Sequence, residues 1–146
     1  MGIAFTPTPG AAGFQHSNPS VVATICLLAS LQTFDKTDMQ AIRTKSENIT
    51  NYLETLLDDI LATCGTEAPF EIITPRSSKD RGAQLSIKFV PGLMPRVLAI
   101  LENNGVVLDE RKPDVIRIAP APLYNTFEEV WEFSNIFRKA LTELGL

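Results

Sequence analysis

One arginine stands out by its setting. Arg117 lies in Val115-Ile116-Arg117-Ile118-Ala119, so in an extended strand its side chain leaves the face that Ile116 and Ile118 bury. A guanidinium placed there either pairs with a neighbouring carboxylate or offers its planar fork to the carboxylate of a ligand. Periodicity by itself favours the first reading, an edge-strand arginine held by Asp109 or Glu110. The Asp109-Glu110-Arg111-Lys112 run reads as a solvated hairpin turn. Arg81-Gly82 reads as a turn into the strand that follows it.

Other chemistry is sparse. The sole histidine, His16, stands in an irregular strip just ahead of Asn18, and no Ser/His/Asp set assembles around it. The patterns HExxH, GxGxxG and GxxxxGK[ST] do not occur. Metal ligands are too few for a site. Cys26 and Cys64 make neither a disulfide framework nor a zinc site, and their apolar helical surroundings predict buried free thiols. Asn48-Ile49-Thr50 matches a glycosylation acceptor but falls in the middle of a helical pattern, as a chance match would.

The elements that must position these groups follow from the spacing of apolar residues. Residues 1–17, broken by Pro7, Pro9, Gly10 and Gly13, form an irregular strip without a period. Asn18 as cap and Pro19 at the first helical position predict a helix to about Phe34 that is apolar almost all round, and so buried on most sides. Thr37-Asp38-Met39-Gln40 opens a longer helix with Met39, Ile42, Ile49, Leu53, Leu56 and Ile60 on one stripe, ending near Cys64-Gly65. Strands are predicted at Phe70–Thr74, Ala83–Phe89, Val106–Leu108 and Val115–Ile118. A helix over Pro91–Asn104 turns Leu93, Val97, Ile100 and Leu101 inward. A capping box at Thr126-Phe127-Glu128-Glu129 starts a closing helix striped by Phe127, Val130, Trp131, Phe137, Leu141 and Leu144. The order from residue 37 is α–β–β–α–β–β–α. It implies a small α/β domain with a mostly antiparallel sheet of about four strands, covered by helices on one side.

The whole-chain figures bound the partners. A chain of 146 residues has room for one domain with a core of its own. Thirteen Lys+Arg against 17 Asp+Glu give a net charge of −4 with the signs interspersed, which points away from nucleic acid. No apolar run approaches the roughly 20 residues of a bilayer span. Met1-Gly2-Ile3-Ala4-Phe5 lacks the pattern of a signal peptide, so a cytosolic location is expected.

Three stretches carry a resemblance. Gly13-Phe14-Gln15-His16-Ser17-Asn18-Pro19, Arg81-Gly82-Ala83-Gln84-Leu85 and Ile116-Arg117-Ile118-Ala119-Pro120-Ala121-Pro122-Leu123-Tyr124-Asn125 together resemble the C-terminal part of the kynureninase family. Leu108-Asp109-Glu110-Arg111 fits as well, and the similarity runs from about Phe5 to Leu146. The resemblance implies the small C-terminal domain of a homodimeric, fold-type-I enzyme dependent on pyridoxal 5'-phosphate. Such an enzyme hydrolyses L-kynurenine or 3-hydroxykynurenine to alanine and an anthranilate, in tryptophan catabolism and NAD biosynthesis. It further implies that Asn18, with Ser17 beside it, lies at the cofactor and substrate pocket, and that Arg117 binds the substrate α-carboxylate. The lysine that carries the cofactor belongs to an upstream part of the family. Lys36, Lys45, Lys79, Lys88, Lys112 and Lys139 match no part of its motif. The resemblance therefore places no catalytic residue in this chain, which looks like the last third of such an enzyme and is expected to be inactive alone. Residues 1–34 would then be a connecting segment and helix packed on the large domain or the dimer partner, and residues 35–146 the small domain. Two other classes stay open at this point, a free-standing ACT-like ligand-binding domain and a non-catalytic interaction remnant.

Overall fold

The computed structural model describes residues 6–65 and 67–146; the expected absence of a leader pattern at Met1–Phe5 concerns residues outside that range. The chain separates between Asp38 and Met39 into two compact units.

In the first unit a short 3-10 turn at Ala11–Phe14 precedes helix α1, Val21–Phe34. The cap is Ser20, not Asn18: its hydroxyl accepts the Ala23 N–H at 3.4 Å, and Pro19 falls outside the helix. The α1 sequence is apolar around its whole circumference, and none of its residues is buried. Cys26, expected to be buried, is accordingly exposed.

The second unit holds the core. Helix α2, Met39–Thr63, buries Ser46, Ile49, Thr50, Leu53, Leu57 and Ile60 along one stripe. Leu57 replaces the expected Leu56 because four residues bring a helix nearer to a full turn than three do, and Leu56 is left half-buried beside it. Met39, also expected on the stripe, is exposed. Cys64 lies just past the helix end, half-buried, its thiol donating to the Ile60 carbonyl at 3.3 Å. In the chance glycosylation match, Asn48 sits mid-helix and Thr50 is buried.

Strands β1 (Phe70–Ile72), β2 (Leu85–Phe89), β3 (Asp109–Arg111) and β4 (Val115–Ile118) form one antiparallel sheet in the order β1-β2-β4-β3. The pleat sorts their residues. Phe70 pairs with Phe89, Ile87 with Ile116 and Leu85 with Ile118, and all six are buried on one face. Glu71, Lys88, Ser86 and Arg117 point to the other face.

One expected strand is displaced. Val106–Leu108 is not extended pairing chain, and Val107 is 90% exposed. The strand begins instead at Asp109, because the turn after Arg111 sets Asp109 opposite Arg117 and Arg111 opposite Val115. Part of the charged run read as a hairpin turn is thus the strand itself. A further correction follows from the order of strands: Arg117 stands on an inner strand, with β3 as the edge.

Helix α3, Met94–Asn103, turns Met94, Val97, Leu98 and Leu101 into the core, with Leu93 just ahead of it. Ile100, expected inward, is half-buried. The helix ends where Asn104-Gly105 predicts: Gly105 takes φ 79°, and the Val106 N–H donates back to the Leu101 carbonyl at 3.0 Å. Helix α4, Phe127–Glu143, opens with the expected capping box between Thr126 and Glu129. Its buried line is Val130, Phe133, Ser134, Phe137, Ala140 and Leu141; Trp131 and Phe127 lie outside it, Trp131 at 52% exposure. Phe137 is the centre of the core. Its ring meets those of Phe70, Phe133 and Phe89 at centroid distances of 5.2, 5.7 and 6.1 Å, each such pair worth about 0.5–1.5 kcal/mol beyond burial.

Candidate functional site

Arg117 is held in place by its neighbours on β4. Ile116 and Ile118 are buried in the core, so the pleat sends the guanidinium to the opposite face, across from Ser86 on β2 and Asp109 on β3. Its Nη2 donates to the Asp109 carboxylate, which also pairs with Arg111 at 3.0 Å. The arginine side chain keeps 32% of its surface, while its Nε is buried and has no hydrogen-bond partner. A buried donor without an acceptor costs about 1–3 kcal/mol.

The residues around it line a cleft of about 450 Å³. Asp109, Arg117, Asn125 and Glu129 supply its polar wall, and Val107 and Phe133 are among its apolar residues. The loop after β4 is closed on itself by one contact and tied to Glu129 of α4 by two. The Asn125 side-chain oxygen accepts the Ala121 N–H at 2.8 Å, Asn125 Nδ2 donates to Glu129 at 3.2 Å, and Glu129 accepts the Thr126 N–H at 2.8 Å. That backbone bond from Thr126, with help from Asn125, holds the Glu129 carboxyl below its ordinary pKa. Hydrogen-bonded loop residues and Arg117 therefore line one cleft.

A second polar cluster escaped the sequence reading. Arg81, read as a turn residue, has a side chain only 2% exposed. Its Nη2 donates to Glu54 at 2.5 Å and to Asn51 at 2.7 Å, and its Nη1 to the Pro75 carbonyl at 3.2 Å. Arg76 reaches the same Glu54 at 2.8 Å and also grips Asp58. The Arg81 hydrogen bond, working against burial and helped by Arg76, lowers the pKa of Glu54. The only trace of this in the sequence is Arg81 itself, within one of the stretches that carry the resemblance.

Ser17 and Asn18 lie in the Met1–Asp38 unit, exposed, between the 3-10 turn and α1; Gln15 donates to the Ser17 carbonyl at 2.9 Å. His16 is exposed beside them. Among the described residues no group of three or more His, Cys, Asp or Glu could hold a metal ion, and no helix is long and apolar enough to cross a membrane. Lysines are absent from the Arg117 cleft. Lys88, Lys112 and Lys139 are exposed and face carboxylates of Glu71, Glu110 and Glu143.

Comparison with known proteins now adds to this geometry. Residues 42–137 match the model of the kynureninase C-terminal domain. The chain belongs to that family. It is 57% identical over 137 residues to kynureninase 1 of Aspergillus clavatus and 55% identical over 144 residues to a kynureninase of Coccidioides immitis. These alignments cover 93% and 95% of this chain but 28% and 30% of the relatives, so the chain spans less than a third of their length. Among solved structures, a phospholyase from Arthrobacter in complex with phosphoethanolamine aligns with TM-score 0.58 at 17% identity, over 79% of this chain and 27% of that one. An 8-amino-7-oxononanoate synthase from Francisella tularensis aligns with TM-score 0.55 at 18% identity, over 85% and 33%. These last two are likenesses of fold, and they agree with the small domain of a fold-type-I enzyme. Membership of the kynureninase C-terminal domain family decides between that reading and an ACT-like domain.

Proposed function

We propose that this chain is the C-terminal part of a pyridoxal-phosphate-dependent hydrolase that cleaves L-kynurenine or 3-hydroxykynurenine to alanine and an anthranilate. Arg117 is its clamp for the substrate α-carboxylate, and Asn18 with Ser17 belongs to the cofactor and substrate pocket. The complete enzyme is a cytoplasmic homodimer, with residues 1–34 packed on its large domain or on the partner subunit. The observation that carries the clamp is Arg117 in the lining of the cleft, on an inner strand, with one Nη2 donor held by Asp109. The 57% identity to a kynureninase supports the reaction class.

The residues present do not by themselves fit the cofactor. No lysine lines the cleft to carry it, and the ion-paired lysines named above are exposed. Electron withdrawal by the bound cofactor is what such a carbon–carbon cleavage requires, so the chain alone should not turn kynurenine over.

The test is Arg117→Lys in the complete enzyme. Lysine keeps the charge but loses the planar fork, so kynurenine binding should weaken at least about tenfold. Cofactor absorbance should stay unchanged. A second reading rests on the Asp109 contact: Arg117 serves only as an ion-pair partner bracing β3 against β4. In that case Arg117→Lys lowers thermal stability and leaves substrate affinity as it was.

A further inference from the structure

We propose that Asp109, backed by Arg111, is the positioning residue that aims the Arg117 guanidinium at the substrate carboxylate. The inference rests on the reading of Arg117 as that clamp. Asp109 stands directly opposite Arg117 in the β3–β4 register and accepts from its Nη2, so the contact spans one strand pair and fixes one end of a long side chain. A clamp needs such a brace, because a free arginine loses rotamer freedom each time it binds. Both residues line the same cleft, which places the brace at the edge of the proposed carboxylate site.

Charge raises an objection that Arg111 answers. A carboxylate beside the clamp would by itself cancel the positive charge and repel a second carboxylate. Arg111 pairs with Asp109 at 3.0 Å, so the Arg111–Asp109–Arg117 trio carries a net charge of one positive. One incoming carboxylate neutralises the trio, while the Glu129 carboxylate on the same cleft is taken up by the Thr126 N–H and Asn125 Nδ2. Asp109 engages the guanidinium through Nη2, so Nη1 of the fork is not used by it.

The experiment measures steady-state kinetics on the complete enzyme with Asp109→Ala, Asp109→Asn, Asp109→Glu and Arg111→Gln, beside Arg117→Lys. Asp109→Ala should raise KM for kynurenine about tenfold with kcat within about threefold, the signature of lost substrate binding. Asp109→Asn keeps an oxygen for Nη2 and should bring KM back to within about threefold of wild type. Asp109→Glu keeps the charge but pushes the guanidinium by one methylene, and should raise KM about fivefold. Arg111→Gln, on an exposed pair, should raise KM about twofold, an effect that salt removes. In the chain by itself, the Arg117 Nε–H signal in nitrogen-15 NMR should stay sharp in Asp109→Asn and broaden in Asp109→Ala. Wild-type KM in Asp109→Ala and Asp109→Glu, while Arg117→Lys is impaired, overturns the positioning role and leaves the clamp. Wild-type KM in Arg117→Lys overturns the clamp itself. If Asp109→Ala does not fold, Asp109→Glu and Asp109→Asn decide: equal KM in the two refutes the proposal.

Discussion

Helices α1 and α2 are both rich in apolar residues, yet one buries nothing and the other buries six residues. The difference lies in arrangement. On α2 the apolar positions fall on one stripe, which α4 and the sheet can cover, while Glu47, Asp58 and their like occupy the rest. On α1 Val21, Val22, Ile25, Leu27, Leu28 and Leu31 face every direction, and all are exposed. The unit Met39–Leu146 thus encloses an apolar core, while α1 in the unit before it leaves its apolar side chains exposed.

The comparison can be broken hardest from the core. Phe137→Ala removes a fully buried ring packed on three others and should cost about 3–5 kcal/mol, read by chemical denaturation. A loss under about 1 kcal/mol would mean that the second unit is not held by this core. Next comes Glu54→Gln, which leaves Arg81 buried without its charge partner and should cost about 3 kcal/mol. Its pH dependence sharpens the point. The folded pKa of Glu54 lies below its unfolded value, so this stabilisation is complete above the unfolded value and is lost as pH falls through the folded one. Wild type should therefore lose stability more steeply than Glu54→Gln as the pH drops below about 5. The smallest effect on stability belongs to the other unit. Leu28→Lys should change unfolding by less than about 0.5 kcal/mol while reducing hydrophobic-dye binding and self-association in sedimentation. Large destabilisation there would show that α1 is part of the folded core after all.

Much of the fold could be read from local signals. The Thr126–Glu129 capping box, the Gly105 stop and the alternation in Leu85–Phe89 are short-range patterns whose energies are decided within a few residues. Strand β3 was hidden because its three residues are Asp109, Glu110 and Arg111, with no apolar period to show. Its place is fixed by pairing with β4. The apolar neighbours Val106–Leu108 drew the expectation away from it. The inner position of Arg117 was likewise out of reach, since strand order is a property of the whole sheet. At the site, the type and outward direction of Arg117 and its pairing with Asp109 or Glu110 were legible from alternation and proximity. The Glu54–Arg81 pair joins residues far apart in the chain and left no local mark.

The order β1-β2-β4-β3 gives Arg117 and Asp109 different footings. The backbone that carries the arginine is bonded on both flanks, whereas the three-residue edge bearing the aspartate is bonded on one. Amide deuteration should therefore reach Asp109–Arg111 on the edge well before Arg117 on the inner strand. A brace on an edge and a clamp on an inner strand mean that losing the edge would cost the arginine its counter-ion but not its anchor.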